Sequence, residues 1–117
     1  MKKISQEELN EILESHELWL RGGGGLQADL TNVDLSNADL KYAVLKHAEL
    51  IHVNLRGANL SNADLKFADL RHADLRHVNL TNANLAYADL TYTDLSDADL
   101  NNANLEYTKT NNYTVGL

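Results

Sequence analysis

A chain of 117 residues with 44% hydrophobic content makes one domain, and because it has a single Phe and a single Trp its core must be aliphatic and narrow. The absence of cysteine excludes a disulfide framework, a thiol nucleophile and a thiolate metal site. A formal charge of −7 argues against direct nucleic-acid binding, which draws on clustered Lys and Arg, and makes a basic protein the more plausible partner.

The first residues, Met1-Lys2-Lys3-Ile4, are basic but run straight into Gln6, Glu7 and Glu8. No apolar h-region follows, so no secretory signal is read here, and nothing is long enough to span a bilayer. A cytoplasmic protein is expected. Residues 5 to about 20 predict a helix. Ser5 is a suitable N-cap, Glu8 completes a capping box, and Ile4 with Leu9 occupy the positions of a hydrophobic staple. Leu9, Ile12, Leu13, His16 and Leu20 form one apolar stripe bordered by Trp19, with Glu7, Glu11 and Glu14 turned elsewhere. Such a helix suits the open end of a stacked fold, where it covers side chains and backbone groups that would otherwise meet water. Its acidic polar face disfavours an anionic membrane.

Gly22 to Gly25 follow without interruption. Four residues lacking a Cβ permit a sharp reversal. The run lacks the Lys-Ser/Thr ending of a phosphate-binding loop. Residues 1–25 thus read as a capping helix and glycine turn, and residues 26–117 as a second region with a different grammar.

In that region leucine occupies every fifth position from Leu30 to Leu105, sixteen times. With Leu as position i, position i−2 is Ala or Val in fifteen units, Thr93 being the exception. Position i−1 is Asp or Asn in fourteen, Val44 and Glu49 departing. Positions i+1 and i+2 vary. In an α-helix a five-residue step would spread these leucines around the axis. In a flat strand they would alternate between faces, because five is odd. If i−2 and i point inward as in a strand, the next three-residue step must turn a corner, and repetition closes a coil. Phe67, Tyr87 and Tyr107 recur at i+2 with a spacing of twenty, as do His52, His72 and Tyr92, and Arg56 with Arg76 at i+1. Four units per turn is therefore favoured.

Units such as Ala58-Asn59-Leu60-Ser61-Asn62, Ala63-Asp64-Leu65-Lys66-Phe67 and Ala68-Asp69-Leu70-Arg71-His72 resemble the A(D/N)LXX motif of the pentapeptide repeat family, over roughly residues 28 to 107. The resemblance implies an all-β solenoid, a right-handed quadrilateral β-helix with four pentapeptides per coil and about four coils. An N-terminal helix caps some members. It also implies a non-enzymatic protein-interaction or scaffold role. The alternative is an acidic DNA mimic, since some members bind DNA gyrase and protect it from quinolones. Those members are longer rods paired through a C-terminal element, and here Arg56, Arg71 and Arg76 interrupt the acidic surface.

Beyond the regular repeats, Thr110 replaces the expected Leu and Val115 is read as returning to register five residues later. Thr108, Tyr113, Val115 and Leu117 are placed at a degenerate terminal coil. They either close it or offer it to a second copy, so the chain is expected as a monomer or as a homodimer through that end.

Two outward features are candidate contact surfaces. Asp29, Glu49, Asp69 and Asp89 share one face with only Arg71 in opposition, whereas Lys46 and Lys66 balance Asp64 and Glu106 on another. At strand spacing the four carboxylates form a column about 15 Å long, suited to a basic partner. Phe67, Tyr87 and Tyr107, beside His47, form an aromatic strip. Histidines 47, 52, 72 and 77 all occupy i+2, and His52 with His72 should stack. A zinc site would need a third and fourth ligand that this corner does not supply. No catalytic constellation, metal site or cofactor site is predicted.

Overall fold

The computed structural model describes residues 1–117. Of fourteen isolated parallel bridges, thirteen tie residue n to residue n+20 along the chain, from Asp29–Glu49 through Asp89–Lys109, and the last, Asp94–Val115, departs from that interval. A constant register of twenty is four pentapeptides per turn. The chain is a right-handed quadrilateral β-helix, the hand expected of parallel crossovers.

One unit explains all of them. The Leu N–H donates to the carbonyl of the residue nineteen positions on, as from Leu50 to Asp69 at 2.8 Å, and the i−1 N–H donates back one coil, as from Asp69 to Ala48 at 3.0 Å. The Leu carbonyl then accepts from the N–H three residues later, closing a β-turn at each corner, as from Ala73 to Leu70 at 3.0 Å. This turn requires a left-handed residue at i+2. Asn32, Asn37, Tyr42, His47 and their successors accordingly have φ near +60°.

The i−1 preference has an equally local cause. In all fourteen units with Asp or Asn at i−1, the side-chain Oδ1 accepts the backbone N–H of i+1, at 2.9 to 3.2 Å. A short side-chain acceptor reaches that N–H, and Val44 and Glu49 lack one of the right length. Inside, the i−2 residues and leucines form one continuous core from Ala28 to Leu95. Small residues beside leucines let a narrow interior fill without voids. Thr93, the one polar residue at i−2, is fully buried and its hydroxyl donates to the Leu70 carbonyl at 2.8 Å.

The N-terminal end is closed by two elements. Strand β1 (Lys2–Lys3) pairs in parallel with β2 (Val33–Asp34), taking the place of a missing coil. In the sequence Lys2 and Lys3 stand out only as a basic start, with no signal of this pairing. Helix α1 spans Gln6–Leu20, and Ser5 caps it by accepting the Glu8 N–H at 3.1 Å. Leu9 is buried against the core, with Ile4, Ile12 and Leu13 packed partly beneath the helix.

His16 is fully buried, and its role goes beyond the apolar stripe. The Ala28 N–H donates to its Nδ1 at 2.9 Å, so Nε2 carries the proton and faces the Lys46 carbonyl at 2.7 Å. The ring thereby satisfies a donor that elsewhere bonds the Leu carbonyl three residues earlier and an acceptor that elsewhere takes the N–H nineteen residues earlier, as in Val33 to Leu30 and His47 to Lys66. Ser15 Oγ accepts the Leu26 N–H at 2.8 Å in the same manner. The glycine run makes this approach possible: Gly22 and Gly24 have positive φ, and at Gly25, with φ +73°, a Cβ would overlap the Ser15 carbonyl.

The far end differs. One extra residue enters before Val115, which pairs with Asp94 at an interval of twenty-one. Val115 therefore falls in the outward i−1 slot and not in the leucine register assigned to it from sequence. Gly116 stands where a leucine would. Tyr113, Val115 and Leu117 are exposed and do not close the coil, and Leu100 and Leu105 are only partly buried.

Candidate interaction surface

Asp29, Glu49, Asp69 and Asp89 succeed one another through direct bridges, so the structure brings all four into one column. The column ends on Lys109, which pairs with Asp89. Its carboxylates are not equivalent. Arg71 grips Asp69 in a bidentate contact, Nε to Oδ1 at 2.9 Å and Nη2 to Oδ2 at 2.7 Å, and reaches Asp89 at 3.9 Å. Hydrogen bonding from Arg71, side chain first and backbone after it, holds the Asp69 carboxyl below the usual carboxylate range and raises the guanidinium in turn. Arg76 does the same to Asp74 on the adjoining face. Asp94 is lowered by the Ser96 hydroxyl and backbone, and Asp34 chiefly by the Ser36 backbone N–H. Asp29 and Glu49 have no ion-pair partner, and they are the free charges of the column.

The aromatic strip forms a stacked ladder. Ring centroids lie 4.8 Å apart from His47 to Phe67, 4.9 Å from Phe67 to Tyr87 and 5.0 Å from Tyr87 to Tyr107, with planes within 17° of parallel. Lys66 lies alongside, its Nζ 5.5 Å from the Phe67 centroid and 6.0 Å from that of Tyr87. A second ladder runs down the next corner: His52 to His72 at 4.6 Å, His72 to Tyr92 at 4.5 Å and Tyr92 to Tyr113 at 5.3 Å. The sequence period exposes its first three members. Tyr113 escapes that period because the inserted residue moves it to twenty-one.

Stacking settles the chemistry of the histidine pair. Rings 16° from parallel and face to face direct their nitrogen lone pairs in parallel planes, so the two do not converge on one ion. No group of three or more His, Cys, Asp or Glu side chains is placed to hold a metal.

The corners themselves carry a contrast. One of the remaining two holds Asn62, Asn82 and Asn102 below Tyr42, and the other holds Asn37, Gly57, His77 and Asp97, all with positive φ. Asn, Asp and Gly tolerate the left-handed conformation, whereas a bulky side chain there costs about 1–2 kcal/mol. Each ring-on-ring contact returns about 0.5–1.5 kcal/mol, so the ladders roughly offset their own strain and add little to stability. Their rings stay in water: Phe67, Tyr87, Tyr92, Tyr107 and Tyr113 are all exposed. The two ladders are five residues apart along the chain, and the side between them is the one bearing Asp29, Glu49, Asp69 and Asp89.

Comparison with known proteins agrees with this geometry. The family model for pentapeptide repeats matches residues 28–66 and 79–109 in eight copies. No curated protein matches the chain. Among solved structures, it is similar to the pentapeptide repeat protein Rfr23 from the cyanobacterium Cyanothece 51142, with 36% identity over 76% of this chain and a TM-score of 0.75. It spans 60% of that protein's length. The pentapeptide repeat protein alr5209 from Nostoc Pcc 7120 is 31% identical over 86% of this chain and 80% of its own, with a TM-score of 0.76. HetL from Nostoc sp. strain PCC 7120, a pentapeptide repeat protein involved in heterocyst differentiation regulation, is 33% identical over 71% of this chain and 43% of its own, with a TM-score of 0.55. With the register of twenty, the inward leucines and the family model in agreement, the chain belongs to the pentapeptide repeat family.

Proposed function

We propose that the chain is a non-enzymatic protein-interaction module whose partner contacts its outward side-chain columns. The observation that carries this reading is the pair of exposed aromatic ladders. Five large rings stand in solvent on a rigid frame, at corners where Asn or Gly would fold with less strain, and partner recognition accounts for rings that stability does not require. HetL, a similar pentapeptide repeat protein involved in heterocyst differentiation regulation, offers a parallel.

The test is affinity capture with the immobilised chain and a variant carrying Phe67→Asn, Tyr87→Asn and Tyr92→Asn. Asn suits the left-handed corners, so the variant keeps the fold. A partner retained by the wild type and lost by the variant is expected, and identical retention by both overturns the reading. A DNA-mimic role draws support from the formal charge of −7, but Arg71 and Arg76 lie within the acidic columns and cancel part of it. A gyrase supercoiling assay separates the two: unchanged supercoiling at saturating protein is expected, and inhibition would favour the mimic.

A further inference from the structure

The two aromatic ladders and the carboxylate column share one side of the coil. His47, Phe67, Tyr87 and Tyr107 rim one edge, His52, His72, Tyr92 and Tyr113 rim the other, and Asp29, Glu49, Asp69 and Asp89 run down the floor between them. Within each ladder the ring faces are spent on one another, so what the rims offer a partner is ring edge: apolar surface with hydroxyls and imidazole nitrogens at its margin. The floor offers negative charge.

Resting on the interaction reading above, we infer that this side binds an extended, Arg- and Lys-rich segment of a partner protein. Long basic side chains combine an apolar stem with a cationic head, and a rim of ring edges beside a carboxylate floor matches both parts at once. The chain's own residues display the two contacts. Lys66 rests alongside the Phe67 and Tyr87 rings from the neighbouring side, and Arg71 makes a bidentate pair with Asp69 on the floor itself. Asp29 and Glu49, which no cation of this chain engages, are the positions a partner's guanidinium or ammonium would take. Arg71 and Lys109 set the polarity of docking: the unpaired acids lie toward α1, so the most basic part of the segment binds there. The remaining corners lack this combination, because Asn62, Asn82 and Asn102 form a polar column.

Fluorescence anisotropy with labelled twelve-residue peptides and the full chain tests the inference directly. Arg-Ser and Lys-Ser repeats should bind at low salt and weaken as salt rises, while a Glu-Ser repeat should not bind. The Phe67→Asn, Tyr87→Asn, Tyr92→Asn variant should weaken the basic repeats by about tenfold, as loss of anchoring aromatics does. Asp29→Asn with Glu49→Gln should weaken them by about fivefold, as loss of complementary charges does. Asn82→Gly with Asn102→Gly, on the far corner, should leave affinity within about twofold, because Gly accepts the same backbone conformation. Failure of both basic repeats to bind the wild type, while a captured partner still depends on Phe67, Tyr87 and Tyr92, overturns the basic-segment inference and leaves the interaction reading standing. Equal binding of the acidic repeat, or an equal loss from the far-corner variant, overturns it as non-specific attraction. If the ladder substitutions alter neither peptide binding nor partner capture, both readings fall.

Discussion

The first and last coils solve the same problem to different degrees. A stack of coils leaves backbone donors, acceptors and leucines uncovered at each end. At the first coil, α1 buries Leu9 over the core, the His16 imidazole engages the Ala28 N–H and the Lys46 carbonyl, and β1 supplies a pairing segment for β2. Around the last coil of these residues, Leu100 and Leu105 are only partly covered and Tyr113, Val115 and Leu117 face water. Side chains can thus stand in for a missing coil, provided each unpaired backbone group meets a matching partner. In the interior the repeat does this without help.

Substitutions that remove burial or pairing should therefore cost most where a neighbour exists on both sides. Leu70→Ala, in the middle of the stack and fully buried, should lower unfolding free energy by about 2–5 kcal/mol in chemical denaturation. An unchanged midpoint would refute the inward assignment. His16→Ala leaves a donor and an acceptor without their ring partner, but at the end of the stack, where water reaches the emptied site, so it should rank next at about 1–3 kcal/mol in all. If it melts like the wild type, the closed end owes its stability to helix packing, the Ser15 contact and the β1–β2 pairing and not to the imidazole. Gly25→Ala should cost about 1–3 kcal/mol through its positive φ and the collision with Ser15. Leu105→Ala at the open end should cost about 1 kcal/mol or less, because the leucine is already part-exposed. Hydrogen exchange sharpens the contrast: amides from Ala98 to Leu105 should exchange faster than their counterparts twenty residues earlier.

Acid gives the smallest effect and acts all along the coil. Asp34, Asp69, Asp74 and Asp94 have their carboxyls lowered in the folded state, so the stability they add is present above the unfolded carboxylate value of about 3.9 and is lost as pH falls through and below it. Thermal midpoints should hold steady from neutral pH to about 5 and decline toward pH 3. Arg71→Gln and Arg76→Gln together should flatten that decline, and an identical acid profile would show that the Asx-type turns, not the guanidiniums, carry it.

Much of this was legible in the sequence because a repeat reports itself many times over. The fifth-residue leucines, the small i−2 residues and the twenty-residue recurrence of Phe67, Tyr87 and Tyr107 each fix the same coil, and Ser5 with Glu8 marks the start of α1. What escaped were events that occur once. The pairing of Lys2 and Lys3 with Val33 and Asp34 has no periodic signal. His16 occupies an apolar stripe position, and only the coil beneath it reveals two backbone partners. The residue inserted before Val115 shifts Tyr113 and Val115 out of phase, which hid the full length of the second ladder and misplaced the terminal valine. The acidic column was visible as charge, but the turn-closing work of Asp29, Asp69 and Asp89 was not, because Asp and Asn share the same oxygen at the same reach.

That shared oxygen separates the protein's electrical character from its architecture. Nine of the fourteen i−1 positions that close turns carry Asp and five carry Asn, and the backbone they hold is the same at each. Exchanging one for the other resets the electrostatic potential of a chosen side while the coil stays as it is. Such a scaffold can drift, or be engineered, across a wide range of isoelectric points without renegotiating its fold.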